Sequence, residues 1–221
     1  MVGSNDDEWR LFLVPGGLID QIPMDAVVGT LAGYRLPVET TCRPTDRRIR
    51  GASPGELLAT IQTDGFWRVP GIRLAEAHAR NVGARPTYMY ELGWRSPQCG
   101  GRLGACHTLE IPFVFDTLGR STATLHGDHP PHHLARAMHA AWVAFATTGD
   151  PGWPRYDLAR RATMRFDLES EVVDDPRAKE RLLWEAAWYG DASWSLGHSP
   201  DGSRCPSGHT AAGLPIPTPH R

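Results

Sequence analysis

A chain of 221 residues is long enough to bury the core of one good-sized domain, and 41% apolar with 22% charged residues is ordinary for a globular protein. A net charge of −2 gives no reason to expect nucleic acid or an anionic membrane as a partner. Lys179 is the only lysine, and the arginine-dominated basic set reads as a coding bias rather than an anion-reading site.

The first residues, Met1-Val2-Gly3-Ser4-Asn5-Asp6-Asp7-Glu8, are acidic and lack the charged-then-apolar layout of a signal peptide. Only two residues precede the Gly-Ser-Asn-Asp-Asp turn, whereas a strand feeding it would need about five. Either the turn has no strand or the strand is cut short. Trp9 to Val14 is too short and too apolar to assign by period, and Pro15-Gly16-Gly17 breaks it. Pro23 to Gly33 reads as a short helix with its proline in the first turn and Ala26, Val27, Thr30 and Leu31 at helical spacing. Arg35 to Ala52 is expected to be a surface connection.

Ser53-Pro54-Gly55-Glu56 is a capping box, with Ser53 at the N-cap and Glu56 at the third helical position, opening a helix through Leu57, Leu58 and Ile61. A further helix is predicted from about Pro70 to Ala84, with Leu74, Ala75 and His78 on one face. Thr87 to Trp94 is rich in aromatics and predicts a strand. A Gly-rich turn then leads to Leu103-Gly104-Ala105-Cys106-His107-Thr108-Leu109-Glu110, followed by Ile111-Pro112-Phe113-Val114-Phe115. Ile111, Phe113 and Phe115 are expected to anchor this loop in a core. An imidazole on a pinned loop offers a proton carrier at neutral pH; a packed core histidine is the bland alternative. Glu110 is expected to be a buried carboxylate bonded to nearby backbone.

Leu125 to His133 holds four histidines and Asp128, but its two prolines predict an extended, solvated loop rather than a metal site. Leu134, Met138, Ala141, Trp142 and Phe145 form an amphipathic pattern that Gly149 to Pro154 ends. Thr163 to Phe166 and Glu171 to Val173 are expected to pair as a hairpin. Asp175-Pro176 is read as the start of a last helix, with Leu182, Leu183, Ala186 and Ala187 on one side. Residues 190–221 are expected to be a disordered Pro/Gly/Ser-rich tail. Cys42, Cys99, Cys106 and Cys205 show neither CxxC nor zinc spacing. They are expected to be free thiols in a reducing compartment, and the signal-peptide layout missing from the first residues leaves the location as cytoplasmic or unknown. No apolar run approaches a membrane span.

A histidine base works best when a buried carboxylate fixes its tautomer and stabilises the imidazolium. In α/β-hydrolases the triad runs Ser, then Asp or Glu, then His along the chain. Glu8 followed by His107 fits the second and third places. At these residues the chain resembles the type-B carboxylesterases, the family of bacterial para-nitrobenzyl esterases and cholinesterases. Gly3 to Glu8 is similar to that family's Gly-x-Asn-x-Asp-Glu segment, whose final Glu is the triad acid. Gly104 to Glu110 is similar to its Gly-x-x-His-x-x-Glu segment, whose His is the triad base. Trp142-x-x-Phe145-Ala146-x-x-Gly149-x-Pro151 and Trp153-Pro154-x-Tyr156 look like its closing helix and loop.

The resemblance runs from Met1 to about Trp188. It implies an α/β fold, the C-terminal portion of an α/β-hydrolase with an incomplete sheet and packing helices over residues 1–189. It also implies Glu8 as triad acid and His107 as triad base, with no metal and no cofactor. Trp9 departs from the family, standing where many relatives have Gly. No segment is assigned as a nucleophile elbow. Gly197-His198-Ser199-Pro200-Asp201 lacks the second glycine and lies after the histidine, and the Gly-rich oxyanion loop has no counterpart. The expectation is an incomplete carboxylesterase, lacking the nucleophilic serine and inactive alone. Its partner would be a small-molecule carboxylic ester if an N-terminal part completes it. The alternative is a non-catalytic remnant or binding module that keeps the hydrolase scaffold.

Overall fold

The computed structural model describes residues 1–38, 51–81, 86–119 and 123–189. Among them four strands, β1 (Val2–Asn5), β2 (Met89–Leu92), β3 (Ala162–Phe166) and β4 (Glu171–Asp174), form one sheet in that order. β1 and β3 flank β2 in parallel, and β4 returns antiparallel to β3. The segment Gly3 to Asn5, expected as a turn, is therefore strand, and the turn begins at Asp6. What places it there is the ladder to β2, in which Gly3 opposes Tyr90 and Asn5 opposes Leu92. Gly3 lies so close to β2 that a Cβ there would fall 2.4 Å from the Tyr90 ring. The predicted strand around Thr87–Trp94 and the predicted hairpin are both present.

The helices of the described residues are, in chain order, α1 (Arg10–Leu13), α2 (Met24–Gly33), α3 (Pro54–Thr63), α4 (Val69–Arg80), α5 (Ile111–Val114), α6 (Ala123–His126), α7 (His132–Thr148) and α8 (Ala178–Tyr189). The capping box forms as its sequence dictates: Ser53 Oγ accepts from Glu56 N, and Glu56 Oε2 accepts from Ser53 N at 2.8 Å. α3 does not end before α4. A π-helical turn, Asp64–Arg68, joins them, and Arg68 donates to both oxygens of Asp64 at 2.5 and 2.7 Å.

Several side chains point differently from expectation. In α4 the buried face is Ile72, Ala75 and Glu76, while Leu74 is exposed. Glu76 belongs inside because Arg161 and Arg80 pair with it. Residues 111–115 turn as a short helix, so Phe113 and Val114 are buried while Ile111 and Phe115 are exposed. The histidine-rich stretch is not simply an extended loop. His126 ends α6 in the core, its Nε2 donating to Leu109 O at 2.8 Å and its ring stacked near Trp94, and His132 and His133 open α7. In α8, which begins at Ala178 rather than at Pro176, Trp184 and Arg181 are buried and Leu182 is exposed.

The amphipathic α7 seats Leu134, Ala135 and Met138 fully, with Ala141, Trp142 and Phe145 packed at the core's margin. Cys99 is exposed, Cys106 is buried, and both are free thiols. Most of the predicted 35–52 connection and all of the predicted 190–221 tail lie outside the described residues, as do Cys42 and Cys205. Among the described residues no helix is long and apolar enough to cross a membrane, and no cluster of His, Cys, Asp or Glu is arranged to hold a metal ion.

Candidate active site

Parallel pairing of β1 with β2 puts their carboxyl ends side by side, and in open α/β sheets that end is where ligands bind. The chain leaving β1 supplies Asp6-Asp7-Glu8, and the chain leaving β2 supplies the loop to His107. Asp6 N donates to Leu92 O at 3.0 Å, Asp7 N to Ala105 O at 2.9 Å and His107 N to Glu8 O at 3.2 Å. Glu8 and His107, 99 positions apart, are thereby laced together by backbone alone.

The side chains complete the join. His107 Nδ1 lies 2.7 Å from Glu8 Oε2. The other carboxylate oxygen, Oε1, accepts from Asn5 N at 2.8 Å. Glu8 is buried, with a side-chain exposure of 5%, whereas the His107 side chain is 36% exposed. His107 Nε2 makes no hydrogen bond among the described residues, so the ring is held by one nitrogen and offers the other. Burial pushes the Glu8 carboxyl above its ordinary range, against the opposing pull of Asn5 N–H and His107.

Asn5 is the residue whose importance the sequence reading missed. Its Nδ2 donates to Cys106 O at 2.9 Å and to Glu110 Oε2 at 2.5 Å, so Glu110 is held by an amide side chain from β1, not by nearby backbone as expected. Asp7 clasps the loop from the other side, its Oδ2 accepting from Ala105 N at 3.1 Å and from Arg95 at 2.9 Å. Gly104 is required here: it sits at φ +61°, and a Cβ would fall 2.2 Å from Asp7 Oδ2. Cys106, although next to His107 in the chain, is no substitute nucleophile, because burial pushes its thiol up to about 12.

The exposed imidazole sits among aromatic rings. Trp67, on the π-helical turn, lies 5.3 Å from the His107 ring and Phe12, on α1, lies 5.7 Å away, with Trp9 and Phe66 behind them. Phe12 and Phe66 are exposed. Nothing local in the sequence marks this wall, since the π-helical turn that aims Trp67 has no compositional signature.

Reading Ser53 only as a cap passes over a spelling. Gly51-Ala52-Ser53-Pro54-Gly55 has the letters Gly-x-Ser-x-Gly. The structure gives it another role. Ser53 has ordinary extended backbone (φ −67°, ψ 162°) rather than the strained elbow of a nucleophile, and its oxygen is engaged with Glu56 N. It also follows Glu8 in the chain. Ser53→Ala is accordingly expected to cost about 1 kcal/mol in a urea-unfolding measurement, the usual value of a lost N-cap.

The Carboxylesterase family profile matches residues 42–184. The chain belongs to the carboxylesterase family. The para-nitrobenzyl esterase of Bacillus subtilis is 29% identical over 192 residues, which cover 82% of this chain and 36% of that protein. The phenmedipham hydrolase of Pseudarthrobacter oxydans is 35% identical over 136 residues, covering 57% and 27%. The crystal structure of Geobacillus stearothermophilus carboxylesterase EST55 at pH 6.2 superposes with a TM-score of 0.68 at 29% identity, covering 82% of this chain and 39% of that one. The fold is thus that of a carboxylesterase α/β-hydrolase, seen here as a partial mixed sheet of four strands with its packing helices. This carboxylesterase-family chain spans less than two fifths of the length of these relatives.

Proposed function

We propose that residues 1–189 are the C-terminal part of a carboxylic ester hydrolase and supply the acid and base of its catalytic triad, Glu8 and His107. The observation that carries this reading is the hydrogen bond of 2.7 Å between His107 Nδ1 and the buried Glu8, with the His107 side chain 36% exposed. In the reaction, His107 Nε2 takes the proton of a serine hydroxyl as its oxygen attacks the ester carbonyl. Glu8 stabilises the imidazolium so formed. His107 then returns the proton to the departing alcohol, and water repeats the cycle to free the acid and regenerate the serine.

Neither the nucleophile nor the oxyanion donors are assigned to residues of this chain, since Ser53 is committed to its cap. A polypeptide outside these 221 residues supplies them. The substrate is a small-molecule carboxylic ester, and the chain needs no metal or cofactor for this chemistry. A second reading, a non-catalytic module that keeps the hydrolase scaffold, is favoured by the same commitment of Ser53.

Hydrolysis of a p-nitrophenyl ester separates the two. The purified chain is assayed alone and with an N-terminal esterase fragment, alongside His107→Ala. Turnover in the mixture that His107→Ala abolishes supports the triad reading. Absence of turnover in the mixture as well as in the chain alone favours the non-catalytic module.

A further inference from the structure

Beside the acid-bearing turn lies a set of buried and half-buried charges that the proton transfer does not itself use. Three acids, Asp6, Asp64 and Glu91, and three arginines, Arg68, Arg165 and Arg177, come from five separate places in the fold. These are the end of β1, the π-helical turn, β2, β3 and the turn after β4. Arg165 pairs with Asp6 at 2.7 Å and with Glu91 at 3.0 Å. Arg177 pairs with Glu91 and reaches Asp6 at 3.6 Å and Asp64 at 3.8 Å. Asp6 stands two residues before Glu8. Asp64 stands on the turn whose Trp67 packs against the imidazole. Arg177 is the group that touches both.

The backbone that carries Arg177 is strained in order to deliver it. Asp175 and Arg177 both have positive φ, 47° and 57°, although neither is glycine. The turn is pinned from outside by Arg181, which donates to both oxygens of Asp175 at 2.8 and 2.7 Å. Strained non-glycine backbone persists where its surroundings over-determine it, and a π-helical turn is a second irregularity of the kind found at functional sites.

We propose that Arg177 is a positioning residue for the proton-carrying histidine: its guanidinium ties the turn bearing Glu8 to the turn bearing Trp67, and so fixes two of the neighbours of the His107 ring. The inference rests on the reading of Glu8 and His107 given above and adds a residue 70 positions further along the chain. Its role is distinct from general stabilisation, because it acts on the tautomer of one imidazole.

The test is ¹H–¹⁵N NMR of the full chain, reading the tautomer of His107 and the exchange of its Nδ1 proton. The wild-type chain is expected to hold one tautomer, protonated at Nδ1, with a slowly exchanging proton. In Arg177→Met that slow proton is lost and both tautomers are populated, while His126, held by Leu109 O, is unchanged. Arg177→Lys restores part of the signal. If Arg177→Met does not fold, the double variant Arg177→Met with Glu91→Gln, which removes one base and one acid together, takes its place with the same expectation. A folded variant that keeps the His107 signal intact while losing only thermal stability overturns the proposal. Glu8→Gln serves as the separate arm: if it leaves the tautomer unchanged, the Glu8–His107 reading fails, whereas a response to Glu8→Gln but not to Arg177→Met sinks only the role of Arg177.

Discussion

Replacing Glu8 with glutamine is expected to lower turnover of a p-nitrophenyl ester by the completed enzyme about 10⁴-fold, the loss that a carboxylate-to-amide change causes in a Ser-His-Asp triad. Asn5 N–H donates to Oε1 of Glu8, so the introduced amide keeps its oxygen there and turns its NH₂ toward His107. The imidazole must then accept at Nδ1 and carry its proton on Nε2. In the proposed triad that is the nitrogen that receives the proton of the nucleophile. The kcat of Glu8→Gln against wild type, measured in the mixture with an N-terminal fragment, checks this.

Stability moves in the other direction. The folded pKa of Glu8 is raised by burial, so folding favours the protonated carboxyl. Its contribution is fully present below the unfolded value, about 4.3 for glutamate, and is lost as pH rises through the folded value. Relative to wild type, Glu8→Gln should therefore gain thermal stability above that window, and the difference in Tm should narrow as pH falls toward about 4.

The largest loss of stability is expected from Asp64→Ala. Arg68 has a side-chain exposure of 2% and donates to both oxygens of Asp64. Burial pushes the Asp64 carboxyl up, and the combined attraction of Arg68 and Arg177 outweighs it, leaving the group below its ordinary range. Removing the carboxylate leaves a buried guanidinium without its principal counterion, at a cost of about 3–5 kcal/mol. Urea unfolding followed by far-UV circular dichroism reads this as a lower midpoint. Replacing Asp64 and Arg68 together by apolar residues of similar size should cost less, because no charge is then stranded.

The parts of this fold that were legible in the sequence are those decided by local physics. The capping box at Ser53, the amphipathic pattern of α7 and the hairpin of β3 and β4 need only neighbours in the chain to take shape. Glu8 and His107 were legible as motifs, and parallel pairing of β1 with β2 brings them together. Several of the misses depend on a partner elsewhere in the chain. Gly3 to Asn5 looks too short and too polar for a strand until β2 provides its ladder. His126 looks like a solvated loop residue until Leu109 O accepts its proton. Leu74 lies outside while Glu76 lies inside because Arg161, 85 residues further on, pairs with it, and Leu182 lies outside while Arg181 is buried between Asp175 and Glu185 of its own stretch. Asn5 belongs to the same group, since its two side-chain bonds reach more than a hundred residues ahead.

Whether Glu8 and His107 act as the acid and base of an esterase triad is decided by a chimera. Residues 1–189 of this chain replace the matching segment of the Bacillus subtilis para-nitrobenzyl esterase, and hydrolysis of a p-nitrophenyl ester is measured. The expected result is an active chimera whose turnover His107→Ala abolishes and Glu8→Gln lowers by orders of magnitude. A folded chimera that hydrolyses the ester equally well with both substitutions would contradict it.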